Sequence, residues 1–437
     1  MKKKTLSILG LLLLLIMAAT SRADYPQTAA ELWAQYDGAV RTNALHTEWV
    51  TNWVEGDITI HLIRYDLGGL TGSQTNANPK MAAYYAYPTA GSNLPGIVQI
   101  HGGGQKASDS LARYWAEQGY AAISINWGGL PLVEGLPNTD WKGLAAGFVR
   151  EGVAHATHRV ELDPETFDDG CTLFAELHPM NNSYMLNSYA ARRALTFLSA
   201  QQNVDSNKLG VVGHSMGGET TVITATDSRI TCVTPSVGGT GFLYEDWWGL
   251  PGTARPMNTG DFDWFKRSVD PQAYWPLITC PTLFLQAFND YNAPFDLVVK
   301  GMRLQSKTVE QRLAIAPHFN HRFETKSYAA LVLWQKAHLT GTFDFPNTAW
   351  AELDLNEPYK TPVFRVWPDE NTSNAVVGVD IYYGYDRDPR TRFWRDAQAV
   401  KTNGHWEAQC GIYNLDEPLY AVAIVTYEIN FDLAMPT

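Results

Sequence analysis

A chain of 437 residues, 45% hydrophobic and 18% charged, holds enough apolar material for a sizeable core, which excludes global disorder. It is too long for one minimal domain and too short for a large catalytic domain joined to a full propeller. Lys and Arg number 33 against 45 Asp and Glu, a net charge of −12, and phosphate binding needs an excess of basic residues, so a nucleic-acid partner is excluded.

Residues 1–23 read as a signal peptide. Lys2, Lys3 and Lys4 form a positive start, and Ile8 to Ala19 is an apolar run too short to span a bilayer comfortably. Ser21 and Ala23 supply a small-x-small cleavage site before Asp24. The alternative is an uncleaved anchor helix. No Cys follows the apolar run, so a lipoprotein anchor is not indicated, and no later stretch approaches transmembrane length. The mature protein is expected to be secreted or periplasmic, without a membrane anchor.

Residues 24–55 read as an N-terminal arm with a short helix at Thr28–Tyr36. Strands are predicted at Ile58–Arg64, Met81–Tyr87, Gly96–His101 and Tyr120–Asn126, with helical periodicity at Ser110–Glu117. Further apolar runs follow at Leu209–Gly213, Thr231–Val237, Thr282–Gln286 and Gln311–Ala316, with helical sequence nearby. Strands alternating with helices imply a parallel sheet covered on both faces, hence an α/β fold class. Two connections are unusually long, from Trp127 to the helix near Met185–Leu198 and from Gly238 to Thr282. Both follow strand C-terminal ends, where open α/β sheets bind ligands.

From about Phe345 the pattern changes to β-like runs at Pro362–Trp367, Val376–Tyr383, His405–Ile412 and Tyr420–Glu428. We read 24–344 as the catalytic domain and 345–437 as a small antiparallel β unit, a sandwich. This unit is expected to stabilise or extend the substrate surface. Its His405 lacks the strand–turn setting of a catalytic base. Cys171, Cys232, Cys280 and Cys410 match no zinc spacing, and an oxidising compartment permits their pairing in any of three connectivities; buried thiols are the alternative.

The sharpest motif is Gly213-His214-Ser215-Met216-Gly217-Gly218, between the apolar run Leu209–Val212 and the helix-competent stretch Glu219–Ala225. That is G-x-S-x-G in a strand–turn–helix setting. A turn this tight lifts the Ser215 hydroxyl out of the sheet, and the helix start aims the Met216 amide where an oxyanion would form. A second motif, His101-Gly102-Gly103-Gly104-Gln105, directly follows a strand. Its glycines leave backbone N–H groups unobstructed, with Gly103 the first choice of second oxyanion donor and Gly104 the next.

A nucleophilic serine needs a base, and the base an orienting acid, in the chain order Ser, acid, His for this type of elbow. Asp290 lies on the first turn after Thr282–Gln286. Asp296 is the runner-up, deeper in a helix-like stretch, and a helix-capping role is the alternative for Asp290. After Gln311–Ala316, His321 sits just before helix-forming sequence from Thr325. His318, leaving the strand at once, is the competitor.

Trp127, Trp141, Trp247 and Trp248, with Trp264 near them, fall in the long connections and could stack on sugar rings if exposed; the alternative is that they form the core of those segments. His155 and His158 have an H-x-x-H spacing but no further ligand set, so no metal is assigned.

The His101–Gln105 loop, the GHSMGG elbow, the Phe288-Asn289-Asp290 turn and the Asn320-His321 turn resemble the α/β-hydrolase superfamily. Within it they are most similar to the secreted dienelactone-hydrolase-like and acetylxylan-esterase-like branch, over roughly residues 56–340. Val204-Asp205 before Leu209 and the helix Ala190–Leu198 are similar to that branch as well. The resemblance implies an α/β-hydrolase fold with a mostly parallel sheet flanked by helices. It also implies carboxyl-ester hydrolysis without metal or other cofactor, and Ser215, Asp290 and His321 as the triad. The expected substrate is a small-molecule or polysaccharide ester, such as an acetylated polysaccharide. The long connections and the β unit depart from the branch. Two other readings remain: a serine peptidase of the prolyl-oligopeptidase kind, and a catalytically silent protein that binds glycan through its aromatics. The residues ahead of the Gly96 strand are too few for a propeller, and the intact Ser215, Asp290 and His321 set argues against silence.

Overall fold

The computed structural model describes residues 26–70, 77–142, 144, 179–241, 262–355 and 361–429. Helix α1 (Ala29–Thr42) starts on Thr28, whose hydroxyl accepts the Glu31 N–H at 3.2 Å. It runs well past Tyr36, where the sequence suggested a stop, through Asp37-Gly38. Tertiary contacts hold this second half. The buried Arg192 guanidinium donates to Asp37 Oδ1 at 2.8 Å and lies 3.4 Å over the Trp33 ring, and Arg193 donates to the Val40 and Asn43 carbonyls at 2.8 and 3.0 Å. Arg193 thereby satisfies carbonyls that a helix C-terminus leaves without intrahelical partners.

The main sheet opens with three antiparallel strands, β1 (Glu48–Glu55), β2 (Ile58–Asp66) and β3 (Lys80–Pro88). β1 falls within the stretch 24–55, whose sequence suggests an arm rather than a strand. It is an edge strand with Trp49 and Val54 exposed, so it lacks the buried face that makes a strand legible. Next come β4 (Leu94–Ile100), α2 (Asp109–Glu117), β5 (Ala121–Ile125), α3 (Ser183–Ser199), β6 (Val204–His214) and α4 (Met216–Thr224). β7 (Ile230–Ser236), α5 (Phe262–Ser268), β8 (Thr282–Ala287), α6 (Phe295–Leu304), β9 (Gln311–Ala316) and α7 (Thr325–Gln335) complete this part. The nine strands lie in the order β1-β2-β3-β5-β4-β6-β7-β8-β9, parallel from β5 onward.

Neighbouring strand residues point to opposite faces, and each face has its own helices. Val98, Ile123, Val211 and Val233 pack with Leu32 and Trp33 of α1 and Tyr189 and Leu195 of α3. Ile97, Ala122, Val212, Leu283 and Leu285 pack on the other side with Trp115 of α2 and Val332 and Trp334 of α7. Coverage on both faces is why β4 to β8 read as continuous apolar runs rather than alternating ones.

Beyond α7 the chain forms β10 (Trp350–Asp354), β11 (Val363–Trp367), β12 (Val376–Gly384), β13 (Arg395–Asp396), β14 (Val400–Thr402), β15 (His405–Gln409) and β16 (Tyr420–Tyr427). They make two antiparallel sheets, β10-β11-β15-β14 and β13-β12-β16. Phe364, Val366 and Ala408 of the first meet Val379, Ile381 and Tyr383 of the second in one core. The opposite face of the second sheet, with Tyr382, Tyr420, Val422 and Ile424, packs on Phe288, Phe295 and Ile315 of the α/β part, together with Trp394. β10, β13 and β14 had no distinct sequence signal, being short or exposed. Cys232, Cys280 and Cys410 are buried free thiols, and Cys171 lies outside the described residues. Among the described residues no helix is long and apolar enough to cross a membrane.

Candidate active site

β6 ends at His214, and α4 begins at Met216, leaving Ser215 alone in the turn between them. Its φ of 58° and ψ of −120° are strained for a side-chain-bearing residue. The strain persists because the surroundings are packed too closely to relax. A Cβ on Gly213 would lie 2.2 Å from the Gly217 carbonyl oxygen, and one on Gly217 would lie 2.3 Å from that of Ile100. Only glycine fits either place, which is the physical content of the motif. The Ser215 N–H is tied to the Ser236 carbonyl at the end of β7, at 2.8 Å.

β8 ends at Ala287, and Phe288-Asn289-Asp290 turns over the sheet edge. Asp290 is fully buried, and its Oδ1 accepts the Asn292 and Ala293 N–H groups at 2.8 and 2.9 Å. The loop after β9 runs beside this turn: the Asn289 N–H donates to the Phe319 carbonyl at 3.2 Å, and the Phe288 N–H to the Ala316 carbonyl at 3.3 Å. His321 is thus carried onto Asp290. Its Nδ1 lies 3.0 Å from both carboxylate oxygens, and its Nε2 lies 2.7 Å from Ser215 Oγ. A carboxylate can only accept, so Nδ1 carries the proton and Nε2 faces the serine hydroxyl as acceptor.

The competing candidates are occupied elsewhere. Asp296 is held by both terminal nitrogens of Arg392, each at 2.9 Å. His318, with φ 58°, is exposed and meets the Tyr382 ring edge-on at 5.3 Å. His405 lies in the C-terminal sheet, where its Nε2 is 3.1 Å from Glu407 Oε2 and its ring stacks on Trp367.

The glycine loop lies against the elbow: a Cβ on Gly102 would sit 3.3 Å from Ser215 Cβ. The Gly102 N–H is taken by Gln105 Oε1 at 3.0 Å, which leaves Gly103 and Gly104 as the loop's candidate donors. Gly104 has φ +69°. Met216 is the first residue of α4, where backbone N–H groups lack intrahelical acceptors.

Trp127 and Trp141, expected to bind substrate, are core residues instead. They are 0% and 9% exposed and cannot present ring faces to a sugar. Trp127 stacks on His101 at 4.7 Å and donates its indole N–H to the His101 carbonyl at 2.8 Å, while Trp141 donates to the Trp127 carbonyl at 3.0 Å. They brace the glycine loop from behind. Trp264 is also buried, donating to the Pro26 carbonyl at 2.9 Å. Trp247, Trp248, His155 and His158 lie outside the described residues.

His101 and His214 flank the two oxyanion-loop candidates. Burial pushes both imidazoles down to about 4, helped at His214 by His321, whose ring lies 5.6 Å away. An unfolded histidine takes its proton near pH 6.5, so between about pH 6.5 and 4 the unfolded chain binds more protons than the folded one. Stability is therefore full above that window and falls as pH drops through it. His101 alone contributes about 3 kcal/mol to this loss. Urea midpoints should fall from pH 7 to pH 5, with a shallower fall in His101→Asn. A midpoint level across that range would contradict the account.

The comparisons with known proteins agree with this architecture. The profile of the prolyl oligopeptidase family matches residues 192–341, from within α3 to just past α7. No curated protein matches the chain. Among solved structures, an acetyl xylan esterase from Paenibacillus sp. R4 superposes with a TM-score of 0.52 at 17% identity, covering 74% of this chain and 99% of its own. Acetyl xylan esterase 1 from Thermoanaerobacterium sp. JW/SL YS485 gives 0.49 at 15% identity, covering 70% and 93%. At 17% identity the likeness to the Paenibacillus enzyme speaks for the fold alone. The chain has the α/β-hydrolase fold.

Proposed function

We propose that this protein is a secreted carboxyl-ester hydrolase that works through an acyl-enzyme, with a carbohydrate ester such as an acetylated polysaccharide as substrate. The observation that carries the reading is the His321 ring, bridging Ser215 Oγ at 2.7 Å and the Asp290 carboxylate at 3.0 Å. His321 Nε2 takes the hydroxyl proton as Ser215 Oγ bonds to the ester carbonyl carbon. Asp290 keeps the ring in the right tautomer and balances the charge of the imidazolium. The oxyanion is held by the Met216 and Gly103 amides, with Gly104 beside them. As the intermediate collapses, the C–O bond breaks and the alcohol leaves with the proton from His321. Water then gives a proton to His321 and attacks the acyl carbon, releasing the acid and restoring Ser215.

The sugar-ester assignment draws on the acetyl xylan esterase whose fold this chain shares. The family profile favours a second reading, a serine peptidase. Against it, the described residues ahead of β4 are α1 and three strands of the sheet itself, with no propeller among them. The mature protein, assayed on acetylated xylan, glucuronate methyl esters, nitrophenyl acetate and prolyl nitroanilides, is expected to release acetate from xylan and cleave the short ester. Cleavage of the anilides with inert esters would favour the peptidase. Release of methanol from the glucuronate ester alone would move the substrate from acetylated to uronate-bearing chains.

A further inference from the structure

The turn that carries Asp290 is gripped from outside the α/β part. Asn289, its immediate neighbour, donates its side-chain N–H groups to the Pro389 and Arg392 carbonyls at 3.2 and 2.9 Å. Phe288, one residue earlier, lies parallel to the Trp394 ring at 4.4 Å. On the far side of the turn, Asp296 receives both guanidinium nitrogens of Arg392. One short segment, residues 389–394, thus holds the acid turn before and after Asp290.

That segment is itself fixed. The Arg392 side chain is fully buried, stacks 3.4 Å over Tyr420 of β16 and donates through Nε to the Asp386 carbonyl at 2.6 Å. Arg390 is paired with Asp388 at 2.6 Å. A buried guanidinium is costly unless its donors are matched in a fork geometry, as Asp296 matches them here. Surface packing alone would need only the apolar contacts of Phe288, Phe295 and Trp394. It does not call for a buried arginine paired with Asp296 and two amide hydrogen bonds converging on the residues next to the acid.

We propose that the C-terminal β unit sets the position of the catalytic acid, with Asn289, Arg392 and Trp394 as positioning residues that act through Asp290. The proposal rests on the triad reading and goes beyond it, giving the β unit a part in turnover. The physical ground is the narrow tolerance of such sites. Catalytic groups work within about 0.5 Å of the productive geometry, and displacement by about 1 Å can cost 100-fold. Asp290 accepts from two amides of its own turn, so it moves only if the turn moves, and the turn is anchored by these contacts.

The test is a double-mutant cycle on the full chain with nitrophenyl acetate. Asn289→Ala removes a half-buried amide and leaves the apolar contacts alone. It should lower kcat roughly 10- to 100-fold, with KM within about twofold and an unchanged melting temperature. In an Asp290→Ala background the same change should cost less than about twofold, because the group through which it acts is gone. Arg392→Lys keeps the charge without the fork and should fall between wild type and Asn289→Ala; it stands in for Arg392→Ala, which risks unfolding. Wild-type kcat in Asn289→Ala, or an equal loss in both backgrounds, overturns the proposal. If Asp290→Ala itself keeps wild-type kcat, the triad reading falls and takes the proposal with it.

Discussion

Replacing Ser215 by Ala should lower kcat on an activated ester by on the order of 10⁵-fold. The same change should move the melting temperature by less than about 3 °C. The size follows from geometry. Ser215 Oγ faces His321 Nε2 at 2.7 Å, and loss of the nucleophile disables a set of groups that works as one unit. Stability should hold because the side chain makes no helix-capping bond. The unusual φ of 58° belongs to the backbone, and Ala bears the same Cβ, so the strain is unchanged by the substitution. Circular dichroism and steady-state kinetics on the purified variant check both halves. Turnover near that of the wild type would end the serine-nucleophile reading, and unfolding would show that the elbow needs the hydroxyl for its own sake.

His321→Ala should be as damaging, again on the order of 10⁵-fold in kcat, while His318→Ala costs less than about tenfold. The two residues are three apart on one loop, yet their settings differ completely. His321 reaches across to Asp290 and Ser215. His318 turns outward, exposed, with its ring against Tyr382 of β12. A modest effect at His318 fits its place at the seam between the α/β part and the C-terminal sheet. Kinetics of the pair on one ester decide the matter: a large loss at His318 with a small one at His321 would reverse the assignment.

The parts of the site legible in sequence are those whose chemistry is local. A Cβ on Gly213 would lie 2.2 Å from the Gly217 carbonyl oxygen inside the same turn, so this half of the motif is local, whereas Gly217 is held to glycine by the Ile100 carbonyl of β4. β9 matches its apolar run at both ends, since Pro317 cannot continue a ladder. β1 was missed because an edge strand with Trp49 and Val54 facing solvent has neither alternation nor a continuous apolar run. The same indole can line a pocket or fill a core, so Trp127 and Trp141 were equally consistent with a sugar platform until their burial behind the glycine loop was seen.

The alternation of strands and helices was legible in the sequence, as were the places of the Ser215 turn, the glycine loop and the turns after β8 and β9. Each of these rests on residues close together in the chain, where backbone sterics and periodicity act directly. Only the fold puts His321, and not His318, between Asp290 and Ser215, and pairs Asp296 with Arg392 instead of with a histidine. It also brought residues 389–394 onto the turn that holds Asp290. Those choices turn on contacts between residues about 100 positions apart, and no local pattern encodes them. The pairs of Arg392 with Asp296 and with Asn289 meet because the face of β12 and β16 that carries Tyr382 and Tyr420 buries its apolar surface against Phe288, Phe295 and Ile315.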